Sequence, residues 1–100
     1  TNKDARIQYK QIIFYIELLQ NNGTKLNENI TKHLDEDIWE LRPGNNRIFY
    51  FFVIGQKIIL TNGFIKKTQK TPKTEIALAK KYRNNYLNRE EIWLCLKISE

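Results

Sequence analysis

The side chains able to do chemistry in this sequence are almost all cations, and they are clustered. Residues 42–89 hold eleven Lys and Arg against a single acid, Glu75, so that this stretch carries +10 while residues 1–41 and 90–100 each carry −2, within a net charge of +6. So dense a positive segment requires a polyanion or an acidic partner, the plainer account being a solvated lysine face. Arg42 and Arg47 weigh against the plain account, because they sit at or beside apolar runs instead of on an evident polar face. A guanidinium donates two parallel hydrogen bonds to a phosphate and stays charged. Other chemistries are poorly supplied. One histidine, His33, and one cysteine, Cys95, do not make a conventional Cys/His zinc site, and no metal or cofactor is expected. A lone cysteine also forms no internal disulfide, which makes the reducing cytoplasm the expected compartment. No apolar run approaches the roughly 20 residues of a membrane helix, so no membrane partner is expected.

These residues need elements to hold them. A chain of 100 residues, 41% hydrophobic and 28% charged, suits one domain, 1–100, with a single core layer between a sheet and helices. Asp4 to Gln20 reads as an amphipathic helix, with Ala5, Tyr9, Ile12, Ile13, Ile16 and Leu19 at three- and four-residue spacing and Gly23 as its stop. One or two further turns around Asn27–His33 would close a helical hairpin. Ile38–Arg42 then reads as a strand, Pro43-Gly44-Asn45-Asn46 as a turn, and Arg47–Ile54 as a central strand buried on both faces. Gly55-Gln56 leads into a third strand over Lys57–Lys67, giving an antiparallel meander. A second helix is expected to follow, capped by Thr71, with Pro72 in its first position and Ile76, Ala79, Tyr82 or Arg83, and Tyr86 facing inward. Glu91–Ser99 alternates like an additional strand, and would also serve as a continuation of that helix.

Two blocks of sequence carry a resemblance. Lys32-His33-Leu34, Ile38-Trp39-Glu40-Leu41-Arg42-Pro43-Gly44 and Asn46-Arg47-Ile48-Phe49-Tyr50 resemble the central block of the RelE/ParE toxin superfamily. Asn62-Gly63-Phe64-Ile65-Lys66-Lys67 and Lys70-Thr71-Pro72 are similar to the phage-derived HigB branch, and together the resemblance spans roughly residues 5–88. It implies an α+β fold, RelE-like, in which an N-terminal helical hairpin packs on a twisted antiparallel sheet closed by a C-terminal helix. It also implies an endoribonuclease that cuts messenger RNA in the ribosomal A site without a metal. A helix-turn-helix antitoxin of the HigA kind would restrain it, with DNA engaged only through that complex. Two departures stand out. Such toxins usually open with a strand ahead of the first helix, so either an upstream segment is missing or Glu91–Ser99 replaces it. Asn62 also stands where many branch members carry histidine, and an amide takes up no proton.

Metal-free RNA cleavage needs the 2′-hydroxyl deprotonated, the phosphorane charge neutralised and the leaving 5′-oxygen protonated. Arg47 stands where superfamily ribonucleases carry a phosphate-binding arginine; the alternative is a strand-end pair with Glu40. Arg42 would join it across the turn, or remain a surface charge. Lys66 and Lys67 are candidate acid or base, but adjacent strand residues point to opposite faces and only one reaches Arg47 directly. Lys70 is placed to reach phosphate from its loop. Lys73, Lys80 and Lys81 are expected to hold RNA backbone nonspecifically. The rival readings are a non-enzymatic toxin of the gyrase-poison type and a degenerate toxin that only binds its antitoxin.

Overall fold

The computed structural model describes residues 2–53, 57–88 and 95–97. Helix α1 (Asn2–Asn22) leads through a 3-10 turn (Gly23–Lys25) to strands β1 (Thr31–Asp35), β2 (Ile38–Leu41), β3 (Asn46–Val53) and β4 (Lys57–Ile65), then helix α2 (Lys73–Leu87) and strand β5 (Cys95–Lys97). The strands lie in sequence order in one antiparallel sheet. The fold is therefore α+β as expected, with β2–β4 forming the meander that the three strand runs and the turns between them implied. Cys95–Lys97 pairs with β4 as a strand; the rest of Glu91–Ser99 and the Gly55-Gln56 turn lie outside the described residues.

The N-terminal helical hairpin is corrected to one helix. Gly23 takes φ +59°, which ends α1. Leu26 is already extended, and Asn27 forms a tight turn, its side-chain oxygen accepting from the Asn29 N–H and its carbonyl from Ile30 and Thr31. Thr31–Asp35 then joins the sheet edge against β2. Thr31 is fixed there, donating its hydroxyl to the Glu40 carbonyl (2.9 Å) and sharing a 2.6 Å hydrogen bond with the Tyr50 hydroxyl. Tertiary pairing has overridden a weak local helical pattern.

Each face of the sheet carries a core. Ile38, Phe49, Phe51 and Ile59 are buried under Ala79 of α2, with Phe64, Ile76 and Tyr86 packed against them. On the other side Leu41, Tyr50 and Ile58 meet Leu19 of α1, with Tyr15, Ile16 and Trp39 around them. Alternation along β3 thus sends Phe49 and Phe51 one way and Tyr50 the other, which is why this run is almost continuously aromatic. The inner stripe of α1 is shorter than its sequence suggests: Ala5 and Tyr9 are exposed, and only its second half packs.

Candidate functional site

The site begins with the tight turn between β2 and β3. The Asn46 N–H donates to the Pro43 carbonyl (3.0 Å), and Gly44 takes φ +60° while Asn45 does not, the pattern of a type II′ hairpin. A Cβ on Gly44 would also lie 2.7 Å from the Gln11 side chain of α1. With Leu41 committed to the α1 face, alternation puts Glu40 and Arg42 on the α2 face, and across the ladder it puts Arg47 and Phe49 there too. Glu40, Arg42 and Arg47 thereby become neighbours.

Glu40 is 1% exposed and Arg47 9%. The Glu40 Oε1 lies 3.3 Å from Nε of Arg42 and 3.8 Å from Nε of Arg47, while Oε2 accepts a hydrogen bond from the Thr71 hydroxyl (2.9 Å). Both guanidiniums are further anchored by backbone carbonyls: Nη1 of Arg47 donates to Gly44 (2.7 Å) and Asn46 (2.8 Å), and Nη1 of Arg42 to Glu28 (2.8 Å). Burial pushes the Arg47 pKa below its ordinary value; Glu40 pulls it up and Arg42 lowers it. An arginine so placed stays charged. Two guanidiniums share one carboxylate, so the cluster keeps one uncompensated positive charge, and neither buried Nε has a hydrogen-bond partner among the described residues. An anion at the open side of the pair would supply the missing charge.

The lysines divide around this centre. The Lys66 N–H donates to the Asn45 carbonyl (2.7 Å), extending the β3–β4 ladder by one step past Ile65. Arg47 faces Phe64 across the ladder, so alternation puts Asn62, Phe64 and Lys66 on the Arg47 side, with Asn62 and Lys66 as diagonal neighbours about 7–8 Å away. Lys67 is exposed and Lys70 lies in the loop before α2, where the Thr68 hydroxyl donates to its carbonyl. Lys73 opens α2 and Lys81 is exposed on it. Lys80 is engaged elsewhere: its ammonium donates to Asp35 (2.6 Å) and lies 3.7 Å from Glu36. That contact lowers the Asp35 pKa and raises that of Lys80. Arg83 likewise pairs with Glu36 and Asp37, so the β1–β2 turn is tied to α2 by charge. Lys73 and Lys80 border an open groove of about 410 Å³ with Leu34 and Ile76, apart from the arginine pair.

Thr71 corrects the expected helix cap. Pro72 is the N-cap and α2 starts at Lys73, with no side-chain cap bond, because the Thr71 hydroxyl is spent on Glu40. Asn62, without acid–base capacity, is structural here: its amide donates to the carbonyl and carboxylate of Glu75 (3.2 and 3.1 Å) and its oxygen accepts from Thr61. The strand-end pair of Arg47 with Glu40, the alternative that the sequence offers, is present, and the structure adds Arg42 to the same oxygen and Thr71 to the other. His33, on the edge strand β1, packs its ring against Trp39.

The family model for Phage derived protein Gp49-like (DUF891) matches residues 3–84, from the first turn of α1 through most of α2, and the chain belongs to this family. The family is associated with RelE/ParE-like toxins. No curated protein matches the chain.

Proposed function

We propose that this protein is a toxin of the HigB branch that cleaves messenger RNA in the ribosomal A site, using arginine and lysine side chains in place of a metal. The observation that carries the reading is the Arg42–Arg47 pair around a single buried carboxylate, one anion short of neutrality. A phosphate seated on the pair accepts guanidinium hydrogen bonds, which strengthen as negative charge builds on the phosphorane oxygens. The 2′-oxygen attacks phosphorus and passes its proton to solvent water, the negative charge that builds on it being offset by the nearby cations, with Lys67 and Lys70 the candidates from the strand end and loop. The bond from phosphorus to the 5′-oxygen breaks, and that oxygen takes a proton from the ammonium of Lys66, leaving a 2′,3′-cyclic phosphate and a 5′-hydroxyl. A helix-turn-helix antitoxin of the HigA kind is the partner that would hold the protein inactive.

The test is cleavage of a defined messenger on translating ribosomes, with both new ends identified. Cyclic-phosphate and 5′-hydroxyl ends are expected, since attack by a water molecule would leave a 5′-phosphate or a noncyclic 3′-phosphate. Arg47→Ala should lose about 10²–10³-fold in rate, the scale for deleting one charge-stabilising donor, while circular dichroism stays unchanged. Full-rate cleavage by this variant would remove Arg47 from the mechanism. Growth arrest with intact messenger and a DNA-damage response would instead mark a gyrase poison.

A further inference from the structure

We infer that Glu40 is a positioning residue, the buried carboxylate that holds Arg42 and Arg47 side by side and, through Thr71, ties them to the segment that carries Lys66, Lys67 and Lys70. The inference rests on the nuclease reading for its catalytic consequence and on geometry for the rest.

Three observations support it. One oxygen, Oε1, is shared by both guanidiniums at 3.3 and 3.8 Å, so a single anion offsets the repulsion between two cations that face the same side of the sheet. The other oxygen accepts the Thr71 hydroxyl at 2.9 Å across 31 residues of sequence, joining the end of β2 to the start of α2. And at 1% exposure Glu40 lies beneath the arginines, out of reach of an RNA phosphate, so its influence passes through the groups it holds. Arg47 has a second anchor in the Gly44 and Asn46 carbonyls. Those carbonyls hold one nitrogen of the fork by hydrogen bonds; Glu40 lies against the Nε edge of both forks as an ion-pair partner without a hydrogen bond, so its charge keeps the two cations together at that edge. Phosphate binding by two forks depends on how they are placed relative to each other, whereas simple attraction to phosphate needs only charge.

Removing the Glu40 charge therefore separates binding from catalysis. Glu40→Gln keeps the side-chain length and an oxygen for Thr71, and it raises the net positive charge of the cluster by one. Per folded molecule, kcat should fall at least tenfold while KM for ribosome-bound messenger stays level or drops. Glu40→Asp, which keeps the charge at shorter reach, should fall between wild type and Glu40→Gln. In NMR spectra the Arg42 and Arg47 Nε–H signals, dispersed in wild type, should move toward the free-arginine position in Glu40→Gln, a readout that needs no nuclease activity.

Folded Glu40→Gln with wild-type kcat and unmoved arginine signals overturns the inference. A rise in KM at unchanged kcat overturns it as well, since that is what lost binding would give. Where neither Glu40 variant folds, Thr71→Val decides: kcat should fall about three- to tenfold at constant KM, and wild-type values for both would refute the link. Arg47→Ala runs alongside. If it cuts normally the nuclease site is wrong whatever Glu40 does; if it is dead while Glu40→Gln is fully active, only the positioning role fails. If the wild-type protein cuts nothing, the arginine signals alone judge the inference.

Discussion

Tyr50 shows how burial alone changes a titrating group away from the proposed site. Its ring is fully buried in the core on the α1 side, beside Trp39 and Phe52, so it is core and offers no face for stacking a base. Burial pushes its pKa up to about 12, with the Thr31 hydrogen bond pulling weakly the other way. The folded state therefore holds the phenol proton more tightly than the unfolded chain, whose tyrosine titrates near 10. The stability this represents is fully present below pH ~10 and is lost as pH rises toward 12, on the order of 2 kcal/mol at the top of that range. Denaturant midpoints measured between pH 9 and 12 should fall with this slope, and Tyr50→Phe should flatten it. A wild-type curve no steeper than that of the variant would show that Tyr50 ionises without opposing the fold. The neighbouring Glu40 illustrates the limit of sequence reading at this scale. Arg47 is conspicuous as a cation at the mouth of an apolar strand and Glu40 is legible as its strand-end partner, but the Thr71 hydroxyl on the other carboxylate oxygen comes from 31 positions beyond Glu40 and is not. Local preference assigned that threonine to capping α2, since nothing in its immediate neighbours shows that a buried carboxylate will claim the hydroxyl first.

At the scale of elements, strands and turns were more legible than helices. Pro43-Gly44-Asn45-Asn46 is decisive turn chemistry, and the unbroken apolar run after Arg47 could only be a strand covered on both sides, as α1 and α2 do cover it. Asn27–His33 has no strong period, so nothing local distinguishes helical turns from what is found, a turn at Asn27 followed by the first half of β1, which exists as a strand by pairing with β2. The ladder between β3 and β4 shifts register between Ile48 and Tyr50, and next to this irregularity the strands approach closely: a Cβ on Gly63 would lie 3.0 Å from the Arg47 carbonyl oxygen. Gly63→Ala should accordingly cost about 1–3 kcal/mol in denaturant unfolding, as overpacking does, and should lower activity by displacing the backbone that carries Arg47. Unchanged stability would mean the ladder relaxes freely. Helix α1 makes the opposite kind of demand. Its second half packs through Tyr15, Ile16 and Leu19, while its first half leaves Ile7 57% and Tyr9 65% exposed and touches the β2–β3 turn through Gln8 and Gln11. A helix half without buried apolar contacts opens locally at little free-energy cost. Amides of residues 6–11 should exchange with deuterium at least tenfold faster than those of residues 15–19; equal protection would mean that α1 opens as one unit.

For the molecule as a whole, net charge of +6 overstates what a polyanion meets, because the cations are not equally available. Lys80 and Arg83 are spent on Asp35, Glu36 and Asp37, an exposed network that fastens the β1–β2 turn to α2. Lys66, Lys67, Lys70, Lys73 and Lys81 form no ion pair among the described residues. Each phosphate neutralised releases counterions from the nucleic acid, and for a single strand the logarithm of affinity falls with the logarithm of salt at about −0.7 per contact. A footprint of about five such contacts predicts a slope near −3.5 for a short single-stranded RNA. Replacing Lys67 and Lys70 together by Gln should bring that slope about 1.4 closer to zero. Lys80→Gln is the informative control. Its ammonium already has carboxylate partners, so the variant should keep the wild-type slope while loosening the β1–β2 turn, seen as faster amide exchange in residues 35–38. A slope lowered by Lys80→Gln as much as by a change at Lys67 would mean that RNA displaces the Asp35 pair, and that the basic surface reaches along α2 into the groove beside Lys73.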